Sequence, residues 1–375
     1  MTPFSPRRLI IAVLCAIVLM PWVIQESIAQ SQPEMTVEIP YKKRKYVGQP
    51  LVWDGKDMMI LRRDGKISIL PVKSERDYTK VKNSFKPYSH HEIRVQLQNE
   101  FGAKYQVSTT ANFVVVHPPG SAETWSMPFQ KLYSRFRAYF SSQGFRLKRP
   151  EFPMVAVILR TRGEFDRFLR KYHPSAGRNV LGYYAPRSNR IITYDQTGGQ
   201  TKGQSWFFHT DTIIHEATHQ TAFNTGVHSR YNAGLRWASE GLAMLFEAPG
   251  VNNSMYYTRQ KDRINRDRLI ALKKYYAADR LKGKMGSLIL SDNLFRSDPQ
   301  MAYAMAWGMT FFFTEKMPNE YNRFLRNDAK RADFSSYPSN KRASDFAKAF
   351  GSNTKGLEAQ MKRFIEGLDI PPARR

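Results

Sequence analysis

Cysteine is nearly missing from this chain of 375 residues, and its single cysteine, Cys15, lies in an apolar run near the N-terminus. An intrachain disulfide needs two cysteines and a thiolate metal site needs several, so the sequence excludes both. Any metal ion must therefore be bound by the side chains of histidine, aspartate or glutamate.

Acidic residues are also scarce, because 32 aspartates and glutamates stand against 58 lysines and arginines and leave a formal net charge of +26. A surface of this charge attracts anionic cell-surface polymers, anionic lipid or nucleic acid. No nucleic-acid-binding motif accompanies the basic residues. We therefore expect solvated basic faces, with anionic cell-surface polymers rather than nucleic acid as candidate partners.

Long hydrophobic runs are confined to the N-terminus, where a short basic start precedes the apolar run Leu9–Met20. Ser27-Ile28-Ala29 then places small residues before Gln30, which is the pattern of a cleaved export signal. The run is shorter than the roughly 20 apolar residues of a membrane-spanning helix. We predict that residues 1–29 are a signal peptide and that the mature protein is exported to the periplasm, the cell surface or the medium. Membrane attachment is expected only if the signal stays uncleaved.

The chain does contain two histidines four residues apart, in the motif His215-Glu216-Ala217-Thr218-His219. On a helix, residues at this spacing share one face, with about 5–6 Å between their Cβ atoms. Both imidazoles can then reach one Zn²⁺ at roughly 2.0–2.1 Å. Glu216 would lie beside the metal ion, where it could accept a proton from zinc-bound water.

A third ligand is expected from the apolar, helix-like segment Trp237–Glu247, which carries Glu240 at its centre. Three protein ligands leave one position of a zinc ion open for water, as in catalytic sites. Glu247 lies on the same helix face two turns later and is the main alternative. His228 is another, although its loop-like surroundings favour a solvated side chain. Gly241 would let this helix pack closely against the histidine helix.

The motif H-E-A-T-H followed by W-A-S-E-G-L-A resembles the gluzincin branch of zinc metallopeptidases, the thermolysin-like, peptidase MA-like superfamily. In detail it is most similar to an uncharacterised family of predicted secreted bacterial zincins, and the similarity covers roughly residues 92–330. The resemblance implies that His215, His219 and Glu240 bind Zn²⁺. It also implies that Glu216 is the general base.

The resemblance has one departure, which concerns the orientation of a ligand histidine. In thermolysin-like enzymes an aspartate four residues after the ligand glutamate often orients that histidine, and Met244 stands at this position here. Asp211, one turn before His215, could take that role. It could equally be a charge favoured near the start of the helix.

Two further assignments follow from the resemblance. Gluzincins use an edge strand beside the motif helix to hold extended substrate, and Gly182-Tyr183-Tyr184 would be that strand, unless it is an ordinary hairpin. They also place a tyrosine or histidine downstream to stabilise the oxyanion. Tyr303 is the candidate for this role, with a core tyrosine as the alternative.

Closely spaced turns at Asp54-Gly55 and Asp64-Gly65 separate short strand-like runs in the N-terminal part. They predict a small β module over residues 41–88 that resembles SH3-like modules and follows a disordered lead ending at Pro40. A metallopeptidase domain over residues 92–370 is expected to combine a mixed sheet, the histidine-bearing helix and a helical C-terminal part. The predicted fold class is α+β.

Within this larger domain the pattern predicts strands near residues 103–117 as the first elements. A helix over residues 124–142 and a hairpin formed by residues 181–184 and 190–194 are expected to follow. The last helix is expected to run over residues 342–366.

The motif and the resemblance together predict an exported zinc metallopeptidase that hydrolyses peptide bonds in a peptide or protein substrate. Two other classes stay open. One is a cell-surface protein with a zincin fold and no turnover, which would not need Glu216. The other is a polyanion-binding protein, favoured by charge alone. The zinc content of the purified protein, compared with its retention on anionic columns, would distinguish a zincin fold from a polyanion-binding protein.

Overall fold

The computed structural model describes residues 35–82, 85–174, 176, 180–198, 204–232 and 234–373, with the backbone alone at 204–208. These residues form two five-stranded sheets and a helical C-terminal part, which confirms the α+β fold class. The predicted signal peptide lies outside the described residues. Within them, no helix combines the length and the apolar character needed to cross a membrane.

The first sheet consists of five antiparallel strands, β1 (Thr36–Tyr41), β2 (Arg44–Trp53), β3 (Asp57–Arg62), β4 (Ile67–Pro71) and β5 (Thr79–Val81). Their order is β4-β3-β2-β1-β5. Gly55 and Gly65 occupy the predicted turns with φ values of 83° and 76°, which glycine adopts without steric cost. The expectation of a disordered lead up to Pro40 is wrong from Thr36 onward, because Val37 and Ile39 bury their side chains in the core of this sheet.

The second sheet is mixed and consists of β6 (Gln106–Thr109), β7 (Phe113–His117), β8 (Met154–Leu159), β9 (Gly182–Ala185) and β10 (Arg190–Tyr194). Their order is β6-β7-β8-β10-β9. The three central strands are parallel, whereas β6 and β9 are antiparallel edge strands. The predicted hairpin is confirmed as β9–β10. Every residue of β7 and β8 is buried, because helices cover both faces of the sheet.

The described residues include thirteen α-helices: α1 (His90–Phe101), α2 (Ala122–Ser142), α3 (Arg162–Tyr172), α4 (Gln204–Thr225), α5 (Arg236–Phe246), α6 (Pro249–Asn252), α7 (Arg266–Ala277), α8 (Lys284–Leu290), α9 (Leu294–Ser297), α10 (Pro299–Lys316), α11 (Pro318–Ala329), α12 (Ser339–Phe350) and α13 (Thr354–Glu366). Helices α1 and α3 cover one face of the second sheet, and α2 and α4 cover the other. Helix α10 forms the centre of the C-terminal part, since its residues 301–313 are all buried.

Two helix predictions need correction. Helix α1 precedes the strands that were expected to begin the domain, and Ser89 starts it with a capping box in which Ser89 and Glu92 exchange hydrogen bonds. The single helix expected over residues 342–366 is instead α12 and α13. The break lies at Gly351, whose φ of 84° ends α12, and Asn353 caps α13.

The first sheet is tied to the β9–β10 hairpin of the second sheet. The N–H of Ile67 donates to the carbonyl of Arg187 (2.8 Å) in the turn between β9 and β10. The guanidinium of Arg230 donates to the carbonyls of Gly65 (2.7 Å) and Pro186 (2.8 Å). The N-terminal sheet therefore supports the hairpin that lies beside α4.

Candidate metal centre

The histidine pair lies on the buried face of α4. His215 and His219 are 0% and 1% exposed, and their Nε2 atoms are 3.1 Å apart. The spacing of four residues produces this convergence, because such residues share one face of a helix. The sequence prediction of a shared helix face is confirmed.

Glu240 reaches the same point from the centre of α5. Its Oε2 lies 3.4 Å from Nε2 of His215 and 3.5 Å from Nε2 of His219. A point about 1.9 Å from all three atoms lies inside the triangle that they form, close to the roughly 2.0–2.2 Å of zinc–nitrogen and zinc–oxygen bonds. The structure thus brings together three side chains that could hold a metal ion.

The surroundings of Glu240 fit a bound cation. Among the described residues, neither of its carboxylate oxygens has a hydrogen-bond partner, although the side chain is fully buried. A buried carboxylate left in this state costs free energy, and a cation would remove that cost. Two imidazoles and one carboxylate also form a ligand set that zinc accepts.

Glu247 does not join the three clustered side chains but contacts His215 from behind. Its Oε1 lies 2.6 Å from Nδ1 of His215, and its Oε2 accepts a hydrogen bond from Nδ2 of Asn265 (2.6 Å). An ionised carboxylate only accepts hydrogen bonds, so this contact assigns the proton to Nδ1. Nε2 then keeps its lone pair for a metal ion. Glu247 is therefore placed to orient the ring of His215, and the suggestion that Asp211 does so stays a prediction.

Arg236 lies behind Glu240, one turn earlier on α5. Its Nε is 3.6 Å from Oε1 of Glu240. The other oxygen of this carboxylate, Oε2, is the one that approaches both histidines. Burial alone would raise the pKa of Glu240, and the positive charge of the Arg236 guanidinium acts in the opposite direction. Arg236 was not predicted as a site residue, although its position four residues before Glu240 places it on the same helix face.

Tyr303, on α10, is connected to this group through Arg236. Nη2 of Arg236 donates to the hydroxyl oxygen of Tyr303 (3.2 Å), and the guanidinium also packs on the ring of Phe295 at 4.5 Å. Tyr303 is buried in the core, at 2% exposure. Its proposed contact with an oxyanion stays a prediction.

Glu216, the expected general base, is held by the edge of the second sheet. The N–H of Tyr184 donates to its Oε2 (2.7 Å), whereas Oε1 is buried and has no hydrogen-bond partner among the described residues. The approach is close enough to require glycine at position 182. A Cβ there would lie 2.8 Å from Cγ of Glu216 and 2.8 Å from Cγ2 of Thr212.

The candidate substrate strand Gly182-Tyr183-Tyr184 is β9, an edge strand beside α4 as expected. All of its residues are buried, and the N–H of Tyr184 is already used by Glu216. A peptide could pair with this strand only after the residues that cover it move. The assignment to substrate binding stays a prediction.

His228 is buried rather than solvated, which corrects the expectation from its loop-like surroundings. It is 6% exposed, and its ring lies 5.4 Å from that of Phe223. Burial, together with the nearby His219, lowers the pKa of His228 to about 3, so this imidazole is neutral at neutral pH. It does not join the three clustered ligand atoms.

The comparison with known proteins gives a partial match. Residues 209–335 match a family model described as "Protein of unknown function (DUF1570)". The matched segment contains His215, Glu216, His219 and Glu240 but not β9. None of the curated proteins matches the chain. The family description names no activity, so a functional assignment depends on the chemistry of the site.

Proposed function

We propose that this protein is an exported zinc-dependent peptidase in which Glu216 acts as the general base. One observation carries the proposal. Glu216 follows His215 in the chain but is not one of the three clustered side chains. The N–H of Tyr184 donates to one of its carboxylate oxygens, and the other oxygen has no hydrogen-bond partner among the described residues. A cluster that served only to stabilise the fold would have no use for such a carboxylate.

The ligand set supports zinc and a catalytic rather than a structural site. Structural zinc sites fill all four positions with protein, whereas catalytic sites use three protein ligands. His215, His219 and Glu240 would hold the ion, and the chain has no cysteine nearby to complete a closed site. The chemistry that zinc supplies in such a site is Lewis acidity, which polarises a carbonyl oxygen and lowers the pKa of water from 15.7 to about 7.

The protein's own residues would move the proton. Oε1 of Glu216 is available to accept a proton from the attacking water and to return it to the leaving amine. The hydrogen bond from Tyr184 would hold the carboxylate in position during both transfers. Glu247 and Arg236 would keep His215 and Glu240 in orientation.

The oxyanion donor is proposed to be Tyr303, with Arg236 positioning its hydroxyl. This hydroxyl oxygen accepts a hydrogen bond from Arg236, and the same guanidinium approaches Glu240. Donors at such a site stabilise the charge that develops on the carbonyl oxygen of the substrate. Because the clustered side chains are at most 1% exposed, a peptide reaches them only when the covering residues move.

Export remains part of the proposal because of the signal-like residues 1–29, and a peptide or protein outside the cytoplasm would be the substrate. The net charge of +26 supports attraction to anionic cell-surface polymers as a secondary property. The competing non-catalytic function predicts metal binding without turnover.

The test uses the purified protein and a proteome-derived peptide library, with cleavage mapped by mass spectrometry. We expect wild type to contain about one zinc ion per chain and to cleave peptides, and a chelator to abolish cleavage. Glu240→Ala should lose both zinc and activity. The matched control is Glu123→Gln, which removes an exposed carboxylate on α2 and should retain both zinc and activity. Zinc-loaded wild type that leaves the whole library intact would favour the non-catalytic function.

A further inference from the structure

An exposed apolar tip follows α6. Met255, Tyr256 and Tyr257 are 82%, 75% and 44% exposed, and the first two have the highest values among the exposed large hydrophobic side chains of the described residues. Three such side chains in a row are unusual, because apolar side chains on a soluble surface are normally scattered singly. The tip belongs to the exposed segment formed by residues 254–261, here called the 254–261 loop.

The base of this loop is firmly closed. Gly250 packs so tightly against the returning chain that a Cβ would lie 2.6 Å from the backbone carbon of Asp262. Arg263 donates from Nε and Nη2 to the two carboxylate oxygens of Glu315 on α10, at 2.7 and 2.8 Å. Its Nη1 donates to the carbonyl of Thr258 (3.2 Å). The loop is therefore anchored at its base to α10, and its apolar side chains lie exposed beyond that base.

Cations surround the apolar tip. Arg259 has a side chain that is 70% exposed, and Lys261 is exposed as well. Arg135, from α2, lies near enough to Tyr256 to interact with it electrostatically. The one acidic residue that follows directly, Asp262, is 16% exposed and lies 3.4 Å from Arg259. The rim of the tip is therefore positively charged.

We propose that the 254–261 loop docks on a bilayer that contains anionic phospholipid. Methionine and tyrosine side chains would enter the interfacial region, where tyrosine is enriched because its ring is apolar and its hydroxyl polar. Arg259 and Lys261 would contact the lipid phosphates. A soluble polyanion would satisfy the cations but would leave the apolar tip in water, so a lipid surface matches both features. This proposal is independent of the metal centre.

The test places an environment-sensitive fluorophore on the predicted exported chain that begins at Gln30, so that the apolar N-terminal run cannot itself enter the vesicles. This chain lacks Cys15, and Met255→Cys then carries the dye at the tip. Tyr172→Cys provides the matched control, since Tyr172 is 55% exposed and also follows basic residues. Each protein is titrated with vesicles of phosphatidylcholine alone, with vesicles that also contain phosphatidylglycerol, and with soluble polyphosphate.

We expect the dye at position 255 to shift to the blue and brighten only with anionic vesicles, and the dye at position 172 to stay unchanged. In the tip-labelled protein, Arg259→Gln with Lys261→Gln should raise the lipid concentration for half-maximal change by about 25-fold, since each cation contributes about fivefold. Lys341→Gln with Lys355→Gln removes the same charge from other exposed sites and should have little effect.

Four results would overturn the proposal, and three of them come from the vesicle titrations. These three are no response at position 255, an equal response at position 172, and an equal loss in both double variants. A response to polyphosphate equal to that with anionic vesicles would also overturn it, because the tip would then bind charge without entering lipid.

Discussion

Removal of Glu247 should weaken zinc binding without abolishing it. The carboxylate contacts Nδ1 of His215 at 2.6 Å and is itself held by Asn265. In Glu247→Ala, Nδ1–H loses its acceptor, and the imidazole is free to rotate and to place its proton on Nε2, where it blocks the metal. Loss of such a partner typically weakens metal affinity 10–100-fold, or about 1.4–2.7 kcal/mol.

The assay is a competition titration against a chelator of known zinc affinity, with circular dichroism to verify folding. Glu247→Gln should have a smaller effect, since its amide oxygen still accepts from Nδ1–H but carries no charge. Glu240→Ala should have a larger effect, because a ligand is lost. Affinity equal to wild type in Glu247→Ala would refute the orienting role. Full zinc in Glu240→Ala with none in Glu247→Ala would show that Glu247 is the ligand.

Three further predictions concern close packing and burial. Gly182→Ala places a Cβ 2.8 Å from Cγ of Glu216 and should displace the base, so peptidase activity should fall by about 10²–10⁴-fold with zinc content unchanged. Gly241→Ala should lower the free energy of unfolding by about 1–3 kcal/mol in urea titrations, because its Cβ would lie 2.5 Å from the carbonyl of Ala306 on α10. Burial, helped by the charge of Arg190, lowers the pKa of His173 to about 4. The folded chain then binds fewer protons than the unfolded chain, so the metal-free protein should lose stability as the pH falls from about 6.5 toward 4. The variant His173→Asn should lose less stability over the same pH range.

Gly286→Ala is the control for both glycine variants, since a Cβ at this helical position meets nothing within 4 Å. It should leave activity unchanged and should not destabilise the fold. If Gly182→Ala retains as much activity as this control, and Gly241→Ala as much stability, then close packing does not require glycine at these two positions. A stability that is flat between pH 6.5 and 4 would contradict the lowered pKa of the partly buried His173.

The convergence of the two histidines could be predicted from the sequence, because the spacing of His215 and His219 fixes their common helix face. The division of roles between Glu240 and Glu247 could not be derived from spacing. Both carboxylates lie on one face of the segment, and only the placement of α5 against α4 decides which one reaches both Nε2 atoms. The prediction that Gly241 lets α5 pack closely against α4 was also wrong. In the structure Gly241 allows the close approach of α5 to α10.

Local composition predicted most strands and helices, but it missed β1 and α1 and misjudged burial. His228 lies in a polar run, yet packing against Phe223 buries it. The contact of Arg236 with Tyr303 joins α5 to α10, so no local pattern shows that these two residues meet. Its contact with Glu240 spans four residues of one helix and was a local signal. The capping box at Ser89 was a local signal, and it would have predicted α1.

The peptidase activity of zinc-loaded Glu216→Gln tests the proposed general base directly. The amide is nearly isosteric with the carboxylate and is not one of the clustered ligands, so zinc content and folding should match wild type. It cannot accept the proton of water, and kcat should therefore fall by about 10²–10⁴-fold on a substrate found in the peptide library. Cleavage by Glu216→Gln at the wild-type rate would contradict the assignment of Glu216 as the general base.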